Sequence, residues 1–308
     1  MTQPKQSGSR ILVATDLSRP ADEAIRQAHD WSTRLGAELV VCHVIPTHHR
    51  ANPLFPQRNA SDAISTVDLE RRVSELVQAR VTEQTGRPAE AFRLVLDVGK
   101  PEAGILEAAA AWNVDVIAIG SRGDTGIARI LLGSVSERIV RYAPCSVLVA
   151  RPFSKQGTVL AATDLSDASY PAIKAGAEQA RLRGAKLVVL HNLDLWPPPV
   201  SSVTAGLGAA GVPTDPSVLE EQRSAALQRL AKILAELRIE ATCRVSHGPP
   251  DAEIIRAVDE IEPELLVIGT HGRTGLSRLA LGSVAERVVE TANCSVLVVR
   301  QGASAPEG

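Results

Sequence analysis

The chain has 308 residues, enough for roughly two domains. Apolar residues make up 44% and charged residues 22%, the composition of an ordinary globular protein. A net charge of −2 and only 3% aromatics argue against a nucleic-acid groove, an anionic-membrane surface or a base-stacking platform.

In chain order, Ile11–Ala14 is a short apolar run that reads as a strand. From Pro20 to Leu35, the spacing of Ala21, Ala24, Ile25, Ala28 and Trp31 predicts a helix with one apolar side, stopped at Gly36. Glu38–Ile45 is the second strand, followed by a Pro/Asn-rich loop over 46–60 and a long amphipathic helix over about 60–85. Then come strand 92–96, helix 101–112, strand 115–119, a glycine loop, helix 134–142 and strand 145–150. The strands read as continuous apolar runs, which implies cover on both faces. Strands alternating with helices imply a parallel, doubly wound α/β sheet with right-handed crossovers. For a five-stranded sheet of order 3-2-1-4-5, ligands sit beyond the carboxyl ends of strands one and four, where the order reverses.

The whole pattern then occurs a second time. ATDLS at 14–18 returns at 162–166, and Gly99-Lys-Pro101 is matched by Gly248-Pro-Pro250. Residues 120–151 and 269–300 agree at nineteen of 32 paired positions. A period this long is a duplicated domain and not a solenoid repeat. The expected organisation is one domain over 1–152 and a second over 153–308, joined at the polar Arg151–Gly157 link.

The agreeing positions that carry chemistry are mostly Gly and Ser. The frame is Gly120-x2-Gly123-x9-Gly133-Ser134 in the first copy and Gly269-x2-Gly272-x9-Gly282-Ser283 in the second, with Gly126 and Gly275 inside the same loops. Glycines after a strand let backbone N–H groups approach a bulky anion, and Gly-Ser opens a helix whose N-terminus favours phosphate. Gly-Ser before a helix is also a capping signature, and the repetition of the spaced frame is what favours a site. Thr15 and Asp16, like Thr163 and Asp164, follow strand one and could hydrogen-bond a ribose or base or help hold a metal. Ser18 is the natural cap of the first helix, which would leave Asp16 for a ligand. Arg122 and His271 occupy equivalent loop positions and can point at phosphates or at water.

The ATDLS start, the glycine frame and the closing Cys-Ser-Val-Leu-Val strand resemble the universal stress protein family in its tandem two-domain, ATP-binding form. The resemblance covers about residues 8–151 and 156–301. It implies ATP in the crevice of each copy, often with a divalent ion such as Mg²⁺. It places the backbone around Ala14–Asp16 and Val44 against adenine, and Gly120, Gly123, Gly133, Ser134 and Val135 against ribose and phosphates. The corresponding second set is Ala162–Asp164, Asn192, Gly269, Gly272, Gly282, Ser283 and Val284. It also implies that the two copies pair through their last strands as an internal pseudo-dimer, with a homodimer left open.

Other signals are weaker. Gly206-Leu-Gly208-Ala-Ala-Gly211 matches GxGxxG but follows a proline run, so it reads as an insertion loop over 196–217, a lid over the second site or an idle segment. His48-His49 lacks partners at ligand spacing, and His43 and His191 read as sheet-end histidines. Cys42, Cys145, Cys243 and Cys294 form no CxxC pair and read as buried, reduced thiols. No apolar run approaches the ~20 residues of a membrane span, and the first ten residues lack a signal-peptide core, so a cytoplasmic protein is expected. There is no Walker lysine motif or GxSxG elbow, and neither glycine loop carries a lysine. A nucleotide-binding regulator with little turnover is therefore the leading reading. A slow ATPase or phosphoryl- or nucleotidyl-transferase, and an interaction scaffold with vestigial pockets, are the alternatives.

The copies differ in loop charge, with Asp124 in the first where Arg273 stands in the second. A carboxylate near a triphosphate costs Coulomb energy. The second site should therefore bind phosphates at least as tightly as the first. Titrating nucleotide into Gly123→Asp and Gly272→Asp variants checks this: the tighter residual binding should remain in Gly123→Asp.

Overall fold

A computed structural model describes residues 8–46, 66–121, 132–153, 155, 157–193, 216–270 and 281–300. The first repeat runs β1 (Arg10–Ala14), α1 (Arg19–Leu35), β2 (Glu38–Pro46), α2 (Thr66–Thr85), β3 (Arg93–Gly99), α3 (Pro101–Ala111), β4 (Val116–Gly120), α4 (Ser134–Tyr142) and β5 (Ser146–Ala150). The second runs β6 (Thr158–Thr163), α5 (Tyr170–Arg183), β7 (Lys186–Leu193), α6 (Pro216–Leu237), β8 (Thr242–His247), α7 (Pro250–Ile261), β9 (Leu265–Gly269), α8 (Ser283–Thr291) and β10 (Ser295–Val299).

Local signals set the helix ends. Ser18 caps α1, its hydroxyl accepting from Ala21 N at 3.4 Å, and Pro20 sits in the first turn. Gly36 and Gly184 end α1 and α5 in the left-handed conformation, at φ 65° and 63°. Among the described residues, no helix is long and apolar enough to cross a membrane.

The described strands join one ten-stranded sheet of order β3-β2-β1-β4-β5-β10-β9-β6-β7-β8, so each repeat has the expected 3-2-1-4-5 order. Pairing within each repeat is parallel. The seam between repeats is antiparallel, with Leu148 opposite Leu297. Alternate strand residues feed two apolar layers. Ile11 and Val13 enter one with α1, α2, α5 and α6; Leu12 and Ala14 enter the other with α3, α4, α7 and α8. Both layers run unbroken across the seam.

The expectation of two-sided cover holds at the centre and fails at the rims. β4, β5 and β10 are buried throughout, whereas β3 and β8 are mostly half-buried and begin exposed. They are edge strands, and they carry Arg93, Asp97 and Arg244, charges that discourage pairing with a further strand. The apolar edges of β5 and β10 cover one another instead.

Beyond the ladder, the seam is held by matched arginines. Arg151, just past β5, donates to Val289 O and Cys294 O beside the carboxyl end of α8. Arg300, just past β10, donates to Val140 O and Arg141 O at the carboxyl end of α4. Each guanidinium meets at least one last-turn helix carbonyl, at the negative end of the dipole. Ser295 Oγ and Gln27 add hydrogen bonds to the Arg151 backbone on one side only. Arg141 pairs with Glu286 across the seam, and the equivalent positions, Glu290 and Glu137, are both acidic.

The four cysteines are free thiols. Burial pushes Cys42 and Cys145 up to about 12 and Cys294 up to about 11, which keeps them protonated and unreactive near neutrality.

Leu148 is fully buried at the seam. Leu148→Ala should cost about 2–5 kcal/mol, read as a lowered midpoint in urea unfolding.

Candidate functional site

The chain leaves β1 through a turn built by its own side chains. Thr15 Oγ1 accepts from Leu17 N at 3.0 Å and Asp16 Oδ1 accepts from Ser18 N at 3.0 Å, while Leu17 takes a left-handed φ of 67°. The second repeat builds the same turn. Thr163 Oγ1 accepts from Leu165 N at 3.0 Å, Asp164 Oδ1 accepts from Ser166 N at 2.9 Å, and Leu165 has φ 62°. A left-handed leucine is unfavourable, and these two side-chain bonds hold it in place. Asp16 is thus not free of structural work, as capping by Ser18 alone would suggest; one of its oxygens holds the turn, and its side chain is exposed.

His43 and His191 lock the turns from behind. His43 Nδ1 lies 2.8 Å from Thr15 O and His191 Nδ1 lies 2.9 Å from Thr163 O. A carbonyl can only accept, so Nδ1 carries the proton in both rings.

On the other side of the crevice, the chain leaves β4 or β9 and returns to open α4 or α8. Gly133 N donates to Ser121 O and Gly282 N donates to Thr270 O, each at 2.9 Å. Both ends of each glycine loop are therefore held together at the crevice rim. Neither Gly133 nor Gly282 has a side chain to cap its helix, so among the described residues no N-cap side chain meets the first-turn N–H groups of α4 and α8. Ser134, Ser283 and Val284 are exposed there and Val135 is half-buried.

In the second repeat these parts line one cleft of about 360 Å³. Ala162, Thr163, Asp164, Asn192, Gly269, Gly282, Ser283 and Val284, all expected from the sequence, lie on its wall. Arg122, Gly123, Asp124, Gly126, His271, Gly272, Arg273 and Gly275 fall outside the described residues, as do His48, His49 and the 206–211 glycines. The first-repeat set, Ala14, Thr15, Asp16, Val44, Gly120, Gly133, Ser134 and Val135, occupies the matching ends of β1, β2, β4 and α4.

Sequence reasoning missed the apolar slot made by Leu190, Ile254 and Ile268. It also missed Thr270, buried in the same wall and fixed through its N–H to Val299 O at 3.1 Å. Thr270 could have been found, since it follows Gly269 where Ser121 follows Gly120. Among the described lining residues only Asp164 and His191 are ionisable, so the helix dipole is the main positive element.

One glycine has a different job from the one its motif suggests. A Cβ on Gly120 would lie 2.7 Å from the Pro20 carbonyl carbon and 2.8 Å from its oxygen. Gly120 is thus required for the start of α1 to pack on the end of β4. Ser136 reinforces that corner, its hydroxyl donating to Gly120 O at 2.9 Å.

The universal stress protein family model matches residues 9–151 and again 157–300. The chain belongs to the universal stress protein family. A universal stress protein of Mycolicibacterium smegmatis is 27% identical over 311 residues, covering 94% of this chain and 96% of its own. One from Methanocaldococcus jannaschii is 34% identical over 140 residues, covering 45% of this chain and 79% of its own. Among solved structures, a universal stress protein from Archaeoglobus fulgidus superposes with a TM-score of 0.64 at 22% identity, over 96% of this chain and all of that one. At that identity the likeness concerns the fold, and it extends through both repeats.

The glycines separate by substitution. Gly120→Ala meets rigid backbone and should cost about 1–3 kcal/mol in urea unfolding. Among the described residues Gly282→Ala meets only Thr270 O, at 3.3 Å, and should cost less than Gly120→Ala in the same experiment.

Proposed function

We propose that this universal stress protein holds an adenine nucleotide, ATP, in the crevice of each repeat and serves as a ligand-responsive regulator of a stress response, with little turnover of its own. The observation that carries this reading is the convergence, in one cleft, of the Thr163–Asp164 turn, the Leu190–Ile254–Ile268 slot and the uncapped start of α8. Each part suits one part of the ligand. A planar base fits an apolar slot with a few polar groups at its edge. Asp164 stands where a ribose hydroxyl can donate to it. Phosphates suit the first-turn amides and dipole of α8, together with the glycine loop.

Among the described residues, no three of His, Cys, Asp and Glu cluster as a metal cage. A Mg²⁺ ion would instead be held chiefly by phosphate oxygens and water, as is usual for this cation. When bound, it supplies charge neutralisation of the phosphates. The first repeat carries the same turn, the same uncapped helix start and the same glycine frame, which supports a second site of the same kind.

Mass spectrometry of material released from the purified, denatured protein should find ATP or ADP, at up to two per chain. Steady-state hydrolysis should stay below about 1 s⁻¹. Faster turnover abolished by Gly272→Asp would establish an enzyme. No nucleotide in the preparation, and none bound on titration, would leave the scaffold reading.

A further inference from the structure

The helices that open the two crevices are short, nine residues each in α4 and α8. A helix of that length is marginal alone and depends on what holds it. Its amino end, offered above to phosphates, lies about 13 Å from its carboxyl end. Packing holds the middle of each helix: Ile139 and Val140 in α4, and Val288 and Val289 in α8, are fully buried.

Their carboxyl ends are held differently from those of α1 and α5, which finish on a left-handed glycine. α4 and α8 run into Ala143 and Ala292, whose N–H groups close one last turn on Ile139 O and Val288 O. In α4 the next turn cannot close, because the N–H that would meet Val140 O belongs to Pro144, which has none. Arg300 supplies the donor: its Nη2 reaches Val140 O at 3.0 Å and Arg141 O beside it. Arg151 reaches Val289 O of α8 in the same way. Each arginine is itself tied down. Val299, the residue before Arg300, accepts from Thr270 N in the wall of the second crevice. Arg151 N donates to Ser295 Oγ. By its place in the chain, then, Arg300 belongs to the second crevice, whereas its guanidinium serves the helix of the first.

We propose that Arg300 and Arg151 are positioning residues that act in trans. Arg300, of the second repeat, sets the helix start of the first crevice, and Arg151, of the first repeat, sets that of the second; this rests on the nucleotide reading above. The guanidinium charge stabilises the helix at its negative end. Its hydrogen bonds to the last carbonyls also fix the direction of the axis. Loosening that end lets the short rod tilt and fray, and the first-turn N–H groups at the other end then leave the place where they meet the phosphates. Each crevice is thus completed by a residue of the other repeat that never touches the ligand.

Arg300→Met keeps an apolar stem and removes the donors. In a Gly272→Asp background, which confines binding to the first crevice, it should weaken ATP about fivefold or more; in a Gly123→Asp background, which leaves the second crevice, ATP affinity should change by less than about twofold. Arg151→Met should give the reverse pattern, and Arg300→Lys, which keeps the charge, should recover part of the loss. Hydrogen exchange on the nucleotide-free protein reads the same crossing with no ligand present. Arg300→Met should speed exchange of the α4 amides about fivefold or more and leave those of α8 unchanged, and Arg151→Met should do the converse. Equal effects of Arg300→Met on both helices and both crevices, or an effect confined to the second crevice, would overturn the assignment. Crossed exchange in a protein that binds no nucleotide would overturn the nucleotide reading and leave the anchoring in trans standing.

Discussion

Parallel pairing around β1 is the constraint on which the rest of the molecule depends. β1 bonds to β2 on one side and β4 on the other, all running the same way. Parallel strands need crossovers, and the crossovers cover both faces with helices. All carboxyl ends of the strands then reach one rim, and the helices that follow them begin there. Because α1 packs on one face and α3 and α4 on the other, the chain parts at β1 and β4 and leaves a crevice between them. Helix N-termini, with their first-turn N–H groups, gather at that rim. The crevice and the helix N-termini at its rim are thus consequences of topology before any side chain is chosen.

The seam imposes a second order on the molecule. Two β5-type edges, apolar and fully buried, could not face water, and their mutual cover makes one sheet of two repeats. The helix that opens each crevice, α4 or α8, is gripped at or beside its far end by an arginine of the other repeat. Those contacts obey an approximate twofold relation, while Arg141–Glu286 and the Gln27–Ser295 bonds break it. The repeats therefore share a frame and differ in how it is braced.

Much of this was legible in the residues. Alternating apolar runs and helical spacing defined the elements, because buried parallel strands and one-sided helices leave strong periodic signals. The 3-2-1-4-5 order was assumed from the doubly wound pattern, and Ser18 and Gly36 marked the ends of α1 through local chemistry. The partial exposure of β3 and β8 was less legible, since an edge strand is defined by what fails to pair with it. The work of individual site residues was least legible. Gly120 belongs to the repeated glycine frame, which reads as a phosphate loop, yet its missing side chain makes room for Pro20, a neighbour a hundred positions away in the chain. Asp16 was weighed as a ligand contact, and the turn it holds depends on the left-handed Leu17, which no pattern announces. Leu190, Ile254 and Ile268 come from three separate elements, and only the folded chain brings them to one wall.

Joining both halves of the seam in one polypeptide changes what the twofold relation can enforce. In a homodimer, each substitution appears in both subunits at once, so the two pockets stay chemically identical. Here the operation relating Val44 to Asn192 is only approximate, and each position is encoded separately. The covalent link also keeps the two strands at a high local concentration whatever the dilution, so pairing does not weaken when the protein is scarce. A fused pair can therefore specialise one pocket while the other keeps its chemistry, an option closed to two copies of a single-repeat chain.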